Sequence, residues 1–148
     1  MNVEEAIKTT KQIPLEPRTL IHITLVHNKV YEVIGNALKP FGISLQQFNV
    51  LRILRGQQGQ PANLSTLNER MVTKMSNTTR LVDKLLAKEY VSRSICASNR
   101  RKVEIVITPL GMDALSNMSK AVAEAENNIV KNLNKQELEQ LNHLLDKF

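Results

Sequence analysis

A chain of 148 residues, 42% hydrophobic and 23% charged, is long enough for one domain with a sizeable core and too short for two independent ones. Aromatic residues are scarce at 3% and Trp is absent, so the core must be built from Leu, Ile, Val, Met and Ala, which leans towards helices. The lone Cys96 excludes an internal disulfide framework, and no apolar run approaches the ~20 residues of a membrane span.

The longest apolar stretch, Leu20 to Val26, is interrupted by His22 and Thr24, and Glu4 and Glu5 stand where a secretory signal would be basic. These features predict a cytoplasmic protein with no membrane partner. The net charge of +6 is concentrated. Arg70, Lys74, Arg80, Lys84, Lys88, Arg93, Arg100, Arg101 and Lys102 are opposed only by Asp83 and Glu89, so residues 70–102 carry +7 and the rest of the chain −1. A basic patch in an otherwise near-neutral chain is the footprint of a polyanion-binding surface.

In chain order, residues 3–11 predict a short helix, closed by Ile13-Pro14-Leu15-Glu16-Pro17. From Leu20 to Leu38, the positions Ile23, Val26, Val30, Val33, Ile34 and Leu38 fall at helical spacing, and Pro40 and Gly42 end the helix. Ser44 and Gln47 have the spacing of a capping box. The helix they open, residues 45–55, carries Phe48, Val50, Leu51, Ile53 and Leu54 around most of its circumference and belongs inside the core.

Residues 56–61 read as a loop, and residues 65–71 as a short helix with Leu67 and Met71 inward. A turn at Val72-Thr73 leads into a longer helix over residues 74–88, with either Thr73 or Ser76 as its N-cap. Its buried stripe is Thr78, Leu81, Val82, Leu85 and Leu86, leaving Ser76, Asn77, Thr79, Arg80, Asp83 and Lys84 outside. The period then changes from helical to alternating in residues 91–95 and 103–107, around the basic tip of residues 97–101, which predicts a β-hairpin. Thr108-Pro109 starts a helix running to about residue 132 that buries Leu115, Met118, Val122, Ala125, Ile129 and Val130. Asn134 and Glu137 suggest a second capping box, opening a leucine-rich last helix.

The predicted fold is mainly α with a small β-hairpin wing: a winged helix-turn-helix lobe at residues 44–108 within a single domain over 1–148. The second helix of such a motif enters the major groove, and its exposed residues must form hydrogen bonds. Arg80 suits guanine, Asn77 suits adenine, and the hydroxyls of Ser76 and Thr79 are less selective. Lys74, Lys84 and Lys88 suit phosphates. Asn99, Arg100 and Arg101 at the wing tip suit the adjacent minor groove. The helices over residues 18–40 and 109–148 offer more apolar surface than the lobe needs, which predicts a homodimer formed through Leu20, Ile23, Leu133, Leu141, Leu144, Leu145 and Phe148.

With those motifs in order, the sequence resembles the MarR family of winged-helix regulators from about Leu20 onwards. The matching segments are residues 41–48 (FGISLQQF), 79–85 (TRLVDKL), 98–101 (SNRR) and 108–111 (TPLG). The resemblance implies a homodimeric repressor on a pseudo-palindromic operator of double-stranded DNA, released by a small phenolic or anionic effector. It assigns the wing's minor-groove contact to Arg101 or Arg100. Three positions depart from the family pattern: Asn99 replaces a bracing aspartate, Glu89 replaces a glycine before the hairpin, and the first helix lacks the cysteine of peroxide-sensing members.

Cys96 reads as an inert thiol, and the methionines as core and interface fillers. No metal-ligand spacing, cofactor motif, phosphate loop or catalytic grouping is evident, which predicts neither cofactor nor enzyme. The competing reading is a winged-helix protein-interaction module without specific DNA readout. The sequence identifies no residue that would bind an effector.

Overall fold

The N-terminal half is helical, and among the described residues the hairpin enters only after five α-helices have been laid down. The computed structural model describes residues 1–73, 77–96, 99 and 103–148. Among them lie α1 (Val3–Ala6), α2 (Leu15–Leu38), α3 (Leu45–Gly56), α4 (Leu64–Arg70) and α5 (Thr78–Ala87). The strands β1 (Val91–Ile95) and β2 (Val103–Ile107), then α6 (Pro109–Val130) and α7 (Lys135–Leu145), complete the order. No helix among the described residues is long and apolar enough to cross a membrane.

The first two helices differ from the sequence expectation. The helix expected over residues 3–11 stops at Ala6, and Lys8 adopts a left-handed conformation with φ 55°. α2 begins at Leu15, so Pro14 and Pro17 open a helix instead of closing one. The first four N–H groups of a helix have no acceptor within it, so the N–H missing from Pro17 costs no bond. Glu4 accepts two hydrogen bonds from Arg18, at 2.8 and 3.1 Å, fastening α1 to the start of α2. That guanidinium lowers the carboxyl's pKa below its ordinary value.

The capping boxes at Ser44/Gln47 and Asn134/Glu137 both form, and Thr108 caps α6 with Pro109 in its first turn. α4 starts at Leu64, one residue early, because Asn63 supplies the cap by accepting from the Thr66 N–H. The core gathers Leu38 from α2, Phe48, Leu51 and Leu54 from α3, Leu67 from α4, and Val82 and Leu85 from α5. Val91 and Ile105 reach it from the hairpin, Leu115 and Met118 from α6. Met71 is also buried, whereas Met112 is exposed.

The hairpin pairs Val91 with Ile107 and Ile95 with Val103. Ala62 adds a one-residue bridge, exchanging two backbone hydrogen bonds with Ile105 at 2.8 and 2.9 Å, a third edge just after the expected loop. The alternation is only half realised. Val91 is buried but Ile95 is 66% exposed, because the far end of the hairpin projects beyond the lobe.

α5 ends in a left-handed turn. Tyr90 N–H donates to the Leu85 carbonyl and Glu89 N–H to that of Leu86, with Glu89 at φ 59°. A helix stop of this type usually uses glycine. Thr108 closes the joint by donating its hydroxyl to the Glu89 carbonyl at 2.7 Å. Gly111, one turn into α6, lies against the Tyr90 backbone, where any side chain would collide.

Candidate nucleic-acid interface

The helix-turn-helix consists of α4 and α5, locked together by a contact absent from the sequence reading. Thr78 is buried and donates its hydroxyl to Asn68 Oδ1 at 2.7 Å, so the start of α5 is bonded directly to α4. On α5 the apolar stripe Val82 and Leu85 is buried, Leu81 and Leu86 are partly so, and Thr79, Arg80, Asp83 and Lys84 are exposed together. Such a face carries hydrogen-bonding groups of both donor and acceptor type over a fixed apolar base.

Asn77, not Thr73 or Ser76, caps the helix: its Oδ1 accepts from the Arg80 N–H at 3.2 Å. The cap bond takes one of the two lone pairs of Oδ1 and leaves the Nδ2 donor uncommitted by it. The helix expected from residue 74 therefore has its described start at Thr78. Lys74 and Ser76, and Arg100 and Arg101 of the wing, lie outside the described residues. Asn99 is exposed, and its N–H donates to the Cys96 carbonyl at 3.2 Å.

Lys88, expected to suit phosphates, is half-buried and bonded within the chain. Its ammonium turns back to the Phe41 carbonyl at 3.5 Å and sits 6.0 Å from the centre of the Tyr90 ring. Lys88 is also the C-cap residue of α5, where a cation meets the negative end of the helix. Arg93 on β1 reaches Asp83 on α5 at 3.2 Å. Both side chains are about half exposed, so the pair adds little stability. It does neutralise the one carboxylate on the exposed face of α5 and ties the wing to that helix.

A shallow depression of about 370 Å³ runs between the start of α3 and the outer face of α5, lined by Gln46, Asn77, Arg80, Leu81 and Lys84. Gln46 donates to the Tyr31 hydroxyl at 3.1 Å, linking this groove to α2.

The residues expected to pair two protomers are exposed in the single chain: Leu20 and Ile23 on α2, Leu133 before α7, and Leu141, Leu144, Leu145 and Phe148 at the C-terminus. α7 has no buried residue at all. Val26, expected on the inward stripe of α2, is also exposed, and so are Leu15, expected ahead of that helix, and Tyr31. Ile129 and Val130 are only partly buried, since α6 by then has run beyond the lobe.

Residues 43–103 match the MarR family. The structure is similar to apo wild-type MarR from E. coli, with 27% identity over 93% of this chain and 98% of that one, at a TM-score of 0.71. It is also similar to a mutant E. coli MarR complexed with operator DNA, with 25% identity, 90% and 93% coverage and a TM-score of 0.76. The fold extends to BpsR of Bordetella bronchiseptica, whose DNA binding is regulated by 6-hydroxynicotinic acid. That chain shares 20% identity over 84% of this chain and 93% of its own, at a TM-score of 0.75.

Proposed function

From the MarR family domain at residues 43–103, set in the winged-helix fold of MarR transcriptional regulators, we propose that this chain is a homodimeric repressor that binds a pseudo-palindromic DNA operator. The observation that carries the reading is the outer face of α5. Thr79, Arg80 and Lys84 are exposed together over a buried stripe, next to a wing whose tip sequence is Asn99-Arg100-Arg101. Arg80 reads a base, and Thr79 and the Nδ2 of Asn77 support it. Lys84 and Lys74 hold phosphates, Ser76 adds a hydroxyl, and Arg100 or Arg101 enters the minor groove.

The lobe at residues 44–108 does the reading, and the helices over 18–40 and 109–148 bring two lobes together. The exposed apolar residues of α2 and α7 support that division, since a symmetric partner would cover them. Two recognition helices about 34 Å apart would then fall in successive major grooves. The operator complex of an E. coli relative supports DNA as the partner. The 6-hydroxynicotinic acid response of BpsR supports release by a small anionic or phenolic molecule. Such a protein works in the cytoplasm and catalyses no reaction.

Selection from a randomised duplex pool tests the reading. The expected result is an enriched palindrome with half-sites one helical turn apart and an affinity that falls steeply with salt. Absence of salt-dependent duplex binding would instead favour a protein-interaction module.

A further inference from the structure

A second cationic surface lies at the other end of α3 from the α5 groove. Gln46, at the groove, and Arg55 are nine residues apart on α3, which is about 13 Å along its axis. At the far end Arg52 and Arg55 from α3 and Arg70 from the end of α4 converge on an open cleft of about 450 Å³. Asn49 supplies an amide to its wall, and Ile53 and Val72 supply apolar surface, Val72 being 91% exposed.

No carboxylate lines this cleft, and none of the three arginines forms a salt bridge among the described residues. Arg52, which lines this cleft and a smaller neighbouring depression, rests its guanidinium 5.7 Å from the centre of the Phe48 ring, on the side of that depression. Glu126 lines the same depression with Arg52 and Arg55 but lies beyond ion-pairing distance of either. Three unneutralised guanidiniums around one concavity repel each other, and the arrangement is relieved by a ligand carrying two or more negative charges. Guanidinium forks match carboxylate and phosphate oxygens bidentately.

We propose that this cleft binds a small organic polyanion, of di- or tricarboxylate type, through Arg52, Arg55 and Arg70, with its carbon skeleton against Ile53 and Val72. Arg70 ends α4 and Val72 begins the connection to α5, so the ligand sits behind the helix-turn-helix. Its negative charge subtracts from the positive potential of the lobe, and DNA and ligand therefore weaken each other's binding by the same factor. This regulatory consequence rests on the DNA-binding reading above, whereas the binding itself does not.

Citrate is the probe, titrated calorimetrically into the full-length protein at constant ionic strength set with sodium chloride. Saturable binding is expected in the wild type and its loss in Arg55→Gln/Arg70→Gln, whose altered side chains are both exposed. Equal binding by the two proteins, or none by either, would overturn the proposal. No DNA is present, so this result stands or falls separately from the repressor reading. In a duplex-binding assay at matched ionic strength, saturating citrate should weaken the wild type about five- to ten-fold and leave the double variant unaffected. If instead the salt slope of the double variant without citrate drops by about two, the arginines are phosphate contacts and action from behind the helix-turn-helix is overturned.

Discussion

Glu89 shows how one residue can be at odds with its backbone and still sit in a well-formed turn. Its φ of 59° lies where a β-carbon crowds the following carbonyl, at a cost of roughly 1–2 kcal/mol relative to glycine. The paired hydrogen bonds of Glu89 and Tyr90 and the Thr108 hydroxyl hold the turn regardless. Glu89→Gly should therefore stabilise the protein by about 1 kcal/mol in urea unfolding, with no change in DNA selectivity. On the face of α5, Arg80 and Lys84 are both exposed cations about one turn apart, and side-chain chemistry assigns them different roles. Arg80→Ala should cost about 1–3 kcal/mol on the preferred duplex and blur its sequence preference; Lys84→Ala should weaken all duplexes alike. Equal losses on selected and random DNA for Arg80→Ala would remove its base-reading role.

At the scale of elements, the joints matter more than the elements. α6 meets the hairpin where Gly111 touches the Tyr90 backbone. Ordinarily Gly→Ala inside a helix is favourable by about 1 kcal/mol. Here the new methyl group meets a carbonyl that the Thr108 N–H and the left-handed turn hold in place, so overpacking wins. Gly111→Ala should destabilise by about 1–3 kcal/mol and lower the melting temperature. The α1–α2 joint is electrostatic. Glu4 has its pKa lowered by the hydrogen bonds from Arg18, so the pair's contribution is present above the ordinary carboxylate pKa and is lost as pH falls through the lowered one. Hydrogen exchange in residues 3–6 should accordingly speed up relative to the core on acidification. Glu4→Gln should show the faster relative exchange already at neutral pH.

For the molecule as a whole, the surplus apolar surface of α2 and α7 is what one chain leaves unresolved. An 11-residue helix with no buried residue has little intrinsic stability in water. Its exposed Leu141, Leu144 and Leu145, with Phe148 at 85% exposure, form the surface that a partner would cover. Leu144→Asp should shift the protein from dimer to monomer in analytical ultracentrifugation and reduce operator affinity in step, while α3 to β2 keep their fold. A dimer that persists in Leu144→Asp and Leu145→Asp would move the pairing surface elsewhere.

Much of this was legible from residue order because it depends on local chemistry. Hydrophobic spacing located α3, α6 and both strands. The caps at Ser44, Asn134 and Thr108 need only side chains three residues from their targets, so their signals survive without tertiary knowledge. The basic content of residues 70–102 was equally plain. Other features were decided only when distant segments met. Asn68 binds Thr78 across the helix-turn-helix, Lys88 folds back onto Phe41, and Ala62 joins the hairpin edge. Arg70 comes beside Arg52 and Arg55. Each of these is a contact between residues ten or more apart in the chain, and periodicity records which face a residue occupies but not what that face will meet.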